Sequence, residues 1–305
     1  MAKFKNSAAR FIEKTSNVVL LSPYALLFSL FIVIPVAVAI GLSFTFYNTV
    51  QPPHFVGLRN YISLLTTDTV FMQFVLPRTI LFGIIAGVGG YVLSFFMAWS
   101  VAQLTKIPRA IIAIILYSPS LTGAVMMQNI WVVIFSGNQR GWLNYFLLRW
   151  DFIESPINRL QSPDYLFPIM IVITLWNSMG IGFLGMLAGI LNADMELYEA
   201  AYIDGVKNRF QEIIYVTIPC ARPQMLFGAI MSIVGTIQAS NIGVALTGYN
   251  PTPGNAGQLI ISHIEDFGFR RFEMGYAAAL SVVLLIVMRL ISVGAYKLFG
   301  DAEVD

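Results

Sequence analysis

The chain has 305 residues, of which 57% are hydrophobic and 11% charged, with a mean hydropathy of +0.73 and a net charge of +2. A soluble domain carries about 25% charged residues, and no soluble fold of this size could hide so much apolar surface, so the composition excludes a soluble protein. The small net charge gives no reason to expect a nucleic-acid partner.

The first segment reads as a basic tail, residues 1–17, with Lys3, Lys5, Arg10 and Lys14. An apolar run uncharged from Tyr24 to Tyr47 follows. It is longer than the ~7–15-residue core of a secretory signal, and it reads as a retained first span. About 20 apolar residues cross the hydrocarbon core as a helix. Six stretches qualify: roughly 18–47, 77–104, 110–136, 165–191, 222–247 and 273–297. Alternating barrel patterning is absent, so the expected fold class is all-α, an integral membrane protein of about six transmembrane helices. Arg289 lies close enough to a helix end to snorkel.

Orientation follows from Lys and Arg in short loops. The tail, the Lys106–Arg109 turn, the Lys207/Arg209/Arg222 loop and Lys297 share one side, which places both termini and that loop in the cytoplasm. The outer loops 48–76, 137–164 and 248–272 are rich in Pro, Gly, Asn and aromatics, with an interfacial helix expected at Trp142–Trp150. The transmembrane domain spans 18–298, and 299–305 is a second cytoplasmic tail. Cys220 is alone, and His54 and His263 are far apart in loops, so the spacing offers no disulfide, no metal site and no catalytic constellation.

The concentrated polar segment lies at about 192–222. Asp194 can cap a helix with Glu196 in its first turn. That helix runs through Glu199-Ala200-Ala201 and ends at Gly205. Asn208 and Gln211 form a capping-box pattern for a second helix. On it, Phe210, Ile213, Ile214 and Thr217 share one face, and Pro219 and Pro223 stop it. The two alanines leave room for close backbone approach, Glu199 offers a carboxylate, and Phe210 supplies an apolar contact, a pattern suited to docking a soluble partner. The same pattern also suits an amphipathic loop lying on headgroups.

The segment resembles the "EAA" loop of permease subunits in binding-protein-dependent ABC importers of type I, with Glu199-Ala200-Ala201, Gly205 and Pro219 matching. Val216 and Ile218 stand where Ile and Leu are usual, and the spacing after Gly205 is one residue longer than the common pattern. Phe55-Val56-Gly57-Leu58-Arg59-Asn60-Tyr61 and Trp142-Leu143-Asn144-Tyr145 resemble outer-loop signatures of the carbohydrate-uptake, maltose/glycerol-phosphate-permease-like branch.

The resemblance implies a non-catalytic permease in the cytoplasmic membrane of a bacterium or archaeon, paired with a second permease. Two cytoplasmic ATPase subunits would bind ATP and Mg, this chain holding no cofactor, and an extracytoplasmic binding protein would deliver a sugar or oligosaccharide. The chain has no Walker-type phosphate loop. The resemblance implies ATPase coupling for Glu199, Ala200, Ala201, Gly205, Phe210 and Pro219. It also points to the spans flanking the loop for the substrate pathway. There Thr174, Trp176, Asn177 and Ser178, and Ser232, Thr236, Gln238 and Asn241, supply uncharged hydrogen-bonding groups and an aromatic ring. Ser and Thr also mediate ordinary helix packing in membranes, and Gly83, Gly87, Gly89 and Gly90 suit close helix contact. The alternative is a self-sufficient secondary transporter, but such proteins place an ionisable residue at mid-membrane, and the spans offer none beyond Arg289.

Overall fold

The computed structural model describes residues 19–122 and 124–299. The tails expected at 1–17 and 299–305 lie outside these residues, apart from Phe299, the last residue of the final helix. In chain order the described elements begin with α1 (Val19–Ser43), strands β1 (Thr45–Phe46) and β2 (His54–Phe55), and α2 (Arg59–Thr66). Next come α3 (Phe71–Ala102), α4 (Lys106–Leu121), α5 (Ala124–Ile134) and α6 (Trp142–Arg149). The second half holds α7 (Pro163–Trp176), α8 (Ile181–Leu191), α9 (Met195–Ile203) and α10 (209–220). Then follow α11 (Arg222–Thr247), α12 (Ile260–Glu265) with a π turn at Asp266–Arg270, and α13 (Met274–Phe299).

Four described helices, α1, α3, α11 and α13, are long and apolar enough to cross a membrane, and α7 with α8 makes a fifth candidate bent by 41°. Two of the expected spans are not single straight helices. The stretch 110–136 is not one helix: α4 carries Pro119 in its last turn and gives way to extended backbone at Thr122 (φ −77°, ψ 128°). Proline removes a helical N–H and disfavours helix for the residue before it, so a break near it is cheap. The stretch 165–191 bends where Asn177–Gly180 interrupts the ladder.

Pro35 and Pro77 do not end helices, while α10 passes Pro219 by a single residue before it stops at Cys220. Each lies two residues beyond a five-residue π turn, at Ser29–Val33, Phe71–Val75 and Ile213–Thr217. A proline ring collides with the carbonyl four residues back. A π turn is wider than an α turn and shifts that carbonyl, so the helix continues. This corrects the expectation that the second span begins at 77, whereas the loop helix stops at Cys220, between Pro219 and Pro223.

The chain divides into two compact units, 1–63 with 267–283, and 64–266 with 284–305. In the first, the segment Phe55–Tyr61 is a structural clasp. Gly57 takes φ +60°, Asn60 is 9% exposed and donates to the carbonyls of Ser43 and Thr45, both at 2.9 Å, and Tyr61 donates to Ser43 Oγ. Phe267 and Tyr276 meet ring to ring at 4.5 Å with planes tilted by 48°, and Gly275 has no room for a side chain against the Thr45 carbonyl.

In the second unit α8 packs most extensively on α11. A Cβ on Gly182 would meet the Gly228 backbone at 3.2 Å, one on Gly185 the Phe227 ring at 2.8 Å, and one on Gly189 the Gln224 side chain at 2.7 Å. Small residues let membrane helices approach closely and gain dispersion contact. Asn144 in α6 is fully buried. It donates to the carbonyls of Ser136, Asn138 and Ile157 and accepts from the Ile157 amide and Arg159. A fully buried amide must be satisfied this way, and it pins the 137–164 loop.

Candidate functional site

The polar loop is built from two capped helices and a tight turn. Asp194 accepts from the Glu196 amide at 3.1 Å and starts α9. The helix stops in a Schellman motif: Val206 N–H bonds the Ala201 carbonyl at 3.0 Å, Gly205 N–H bonds Tyr202 at 3.3 Å, and Gly205 has φ +100°. Asn208 accepts from the Gln211 amide at 2.8 Å and starts α10, while the Gln211 side chain accepts from the Lys207 amide at 2.9 Å, one residue before the cap.

The face of α10 differs from the sequence expectation. Ile213 and Thr217 are buried, whereas Phe210 and Ile214 are exposed. The π turn at Ile213–Thr217 holds one residue more than an α turn and so rotates the positions after it. Ile213 and Ala221 join a core with Phe95, Ala98, Val101, Met186, Leu187 and Ile190. The inner side of the loop is thus continuous with the cores of α3 and α8.

The outer side is open. Glu199, Ala200 and Pro219 are exposed and Ala201 is half-buried; Phe210 is 65% and Ile203 87% exposed. A shallow groove of about 390 Å³ lies over the turn, lined by Ala201, Asp204, Gly205, Val206, Gln211, Tyr215 and Val216. Glu212 is buried and ties the two helices together, accepting from Tyr202 Oη and Arg209 Nη1, both at 2.7 Å. That hydrogen bond pushes the Tyr202 phenol above its ordinary pKa, and the same carboxylate raises that of Arg209.

On the flanking helices, four candidate hydroxyls are committed to backbone carbonyls. Thr174 donates to Met170, Ser178 to Leu175, Ser232 to Gly87 and Thr236 to Ser232, at 2.7–2.9 Å. Two of these side chains also face the glycines of α3: a Cβ on Gly87 would meet Thr236 Oγ1 at 3.1 Å and one on Gly90 would meet Ser178 at 3.0 Å. Gly83 has nothing within 4 Å, and Gly89 only Leu175 at 3.7 Å. Ser94 Oγ donates to the Ser178 carbonyl at 3.0 Å. Here hydroxyls and glycines make one helix-packing seam.

The remaining candidates are available for other partners. Trp176 is 54% exposed and meets Trp131 edge-on at 6.4 Å. Asn177 closes α7, and Gln238 is exposed at the last α turn before the 3₁₀ turn Ala239–Asn241. Asn241 donates from Nδ2 to Glu265 Oε2 at 2.9 Å, while its buried Oδ1 has no partner among the described residues. Glu265 and Trp131 were not sequence candidates. Both lie outside the two flanking spans, and no spacing rule links Glu265 to a residue 24 positions away.

Comparison with known proteins adds three findings. The sequence profile of the family described as "Binding-protein-dependent transport system inner membrane component" matches residues 79–300. The chain is 30% identical over 95% of its length, and 90% of the relative's, to the arabinooligosaccharides transport system permease protein AraP of Bacillus subtilis (strain 168). It is 26% identical, over 96% of each, to the lactose transport system permease protein LacF of Rhizobium radiobacter. Among solved structures, a chain of a bacterial ABC transporter involved in import of the acidic polysaccharide alginate superposes with a TM-score of 0.78 at 21% identity, covering 97% of this chain and 100% of that one.

Proposed function

Since this chain belongs to the binding-protein-dependent transport system inner membrane components, we infer that it is the sugar permease subunit of an ATP-driven importer, a multi-pass protein of the inner membrane with no covalent chemistry of its own. The reading of a self-sufficient secondary transporter is not favoured. The observation that carries the coupling role is the loop at 192–222: its outer face is exposed around Glu199 and Gly205, and its inner face belongs to the core of α3 and α8.

In this reading the chain crosses the membrane six times with both termini cytoplasmic, and it shares the translocation path with a second permease. Two ATPase subunits, which hold ATP and Mg, take one such loop each, and one of them seats on the groove over the Gly205 turn. Glu199 meets a basic group of the ATPase, and Phe210 and Ile203 enter an apolar hollow in it. Motion imposed on α9 and α10 travels through Ile213 and Ala221 into α3 and α8, and α8 carries α11 with it because their glycine contact leaves no slack. The path between α7, α8 and α11 then opens to alternate sides. Trp176, Asn177, Gln238 and Asn241 face the solute, and the hydroxyls of Thr174, Ser178, Ser232 and Thr236 hold the helices that carry them.

A binding protein outside the membrane delivers the sugar, an arrangement supported by a solved alginate transporter in complex with an alginate pentasaccharide-bound periplasmic protein. The test is expression with and without the neighbouring gene products. The full set should take up sugar only with ATP, and the chain alone should be unstable or inactive. A purified single chain that drives sugar uptake in ATP-free vesicles would overturn the reading.

A further inference from the structure

The helix α11 is interrupted at Ala239–Asn241 by a 3₁₀ turn, after which Ile242–Thr247 resumes the α form. Interrupted helices in membranes free polar groups where backbone or side chain lines a cavity rather than lipid. At this interruption Asn241 turns Nδ2 to Glu265 Oε2 at 2.9 Å. The pairing commits the donor end of the amide and leaves two acceptors over. Asn241 Oδ1 is shut off from solvent with no donor, and among the described residues Glu265 has the one partner Asn241. A buried acceptor without a donor is costly, so the arrangement suits a protein whose other state, or whose ligand, supplies O–H or N–H groups.

Two further features lie in the same neighbourhood. Trp131 packs against the core cluster that contains Ile242 and that Ala239 also touches. Its indole N–H is buried without an acceptor among the described residues. The ring of Trp131 meets Trp176 edge-on, and Trp176 is half-exposed. The break in α11 therefore carries one buried unfilled acceptor beside a half-buried carboxylate, and the core it adjoins holds one buried unfilled donor next to an open aromatic face.

We propose that Asn241 and Glu265 form a recognition pair for the hydroxyls of a neutral carbohydrate, with Glu265 acting as the residue that rejects acidic sugars. Two sugar hydroxyls donate to Asn241 Oδ1 and to the second oxygen of Glu265, the Trp131 indole N–H gives a bond to a sugar oxygen, and the apolar face of a sugar ring lies on Trp176. A uronate brings a carboxylate up to the Glu265 carboxylate, where like charges repel and no donor compensates. The pair sets charge selectivity at the path, a property separate from the affinity of any delivery protein. This assignment rests on the sugar-permease reading above.

The experiment uses the complete detergent-purified complex of permeases and ATPases without the binding protein. Saturation-transfer NMR titrations are run with arabinotriose, maltotriose and trigalacturonate, alongside basal ATPase. For the wild-type complex at least one neutral trisaccharide should bind and trigalacturonate should not. Glu265→Gln keeps the shape and an acceptor for Asn241 but removes the charge. It should weaken neutral binding by about tenfold or more, the loss of a hydrogen bond to a charged group, and should admit trigalacturonate. Asn241→Leu should weaken neutral binding without admitting the acidic sugar, because Glu265 remains charged. Wild-type affinity for neutral sugar in Glu265→Gln with continued exclusion of trigalacturonate would overturn the pair's role. If yield falls in Glu265→Gln, Glu265→Asp decides: restored yield with restored exclusion supports the charge role, and restored yield with trigalacturonate bound refutes it. No binding of either neutral sugar to a wild-type complex that binds trigalacturonate overturns the assignment alone, whereas a complex that binds none of the three and shows no sugar-dependent uptake with its binding protein counts against the sugar-permease reading itself.

Discussion

Replacing Gly205 should uncouple the importer through backbone strain alone. The residue has φ +100°, and a Cβ built on it meets no atom within 4 Å, so sterics with neighbours contribute nothing. A non-glycine residue held at such a φ costs about 1–3 kcal/mol, with alanine at the low end and a β-branched residue at the high end. Relief is available by abandoning the turn, which forfeits the bonds from Val206 to Ala201 and from Gly205 to Tyr202, each worth about 1 kcal/mol net. Strain and relief are of similar size. The equilibrium between the native turn and an opened one therefore shifts by roughly fivefold for Gly205→Ala, which leaves the turn the major form, and by about a hundredfold for Gly205→Val, which makes it the minor one, at 1.4 kcal/mol per power of ten. The assay is ATP-dependent sugar uptake in proteoliposomes holding equal amounts of assembled complex, with ATPase rate measured in parallel. Uptake should fall in that order while the permease still reaches the membrane. Gly83→Ala is the control: that glycine is helical (φ −58°) with nothing within 4 Å, and the change should be neutral. Wild-type uptake by Gly205→Val, or equal damage from Gly83→Ala, would refute the strain argument.

Two other outcomes follow from the same geometry. Glu199→Lys reverses an exposed charge on α9; membrane abundance should stay normal while uptake and copurification of the ATPase are lost, and wild-type uptake with a bound ATPase would exclude Glu199 from the docking surface. Asn144→Ala strips three carbonyls, the Ile157 amide and Arg159 of a fully buried partner, so at about 1 kcal/mol per bond the protein should lose roughly 3 kcal/mol or more, read as a lower melting temperature and yield in detergent.

Local chemistry made much of the 192–222 loop legible. Asp194, Gly205 and Asn208 cap and terminate helices through bonds to residues two to four positions away, so their roles survive without knowledge of the rest of the chain. The membrane class was equally plain, because hydropathy over long stretches is a property of composition and window. Prolines misled in both directions. Pro119 lies beside a break, whereas Pro35 and Pro77 follow π turns that carry the helix past them. Which outcome prevails depends on whether packing on the neighbouring helices holds the widened turn, and that is a tertiary matter. The same π turn at Ile213–Thr217 decided which side of α10 faces out.

The polar residues inside the spans divide along the same line. Sequence identified Thr174, Ser178, Ser232, Thr236 and Asn241 as hydrogen-bonding groups in an apolar setting, which is a statement about composition. Only the folded chain showed the four hydroxyls turned onto carbonyls of α3 or of their own helices, as short side chains can reach no further. Only it brought Glu265 from an outer loop to Asn241 and set Trp131 beside Trp176. A sequence read alone determines what each residue can offer within a turn or two of helix. The partners that complete a buried amide or leave an acceptor unfilled come from elements far along the chain, and the packing of those elements decides them.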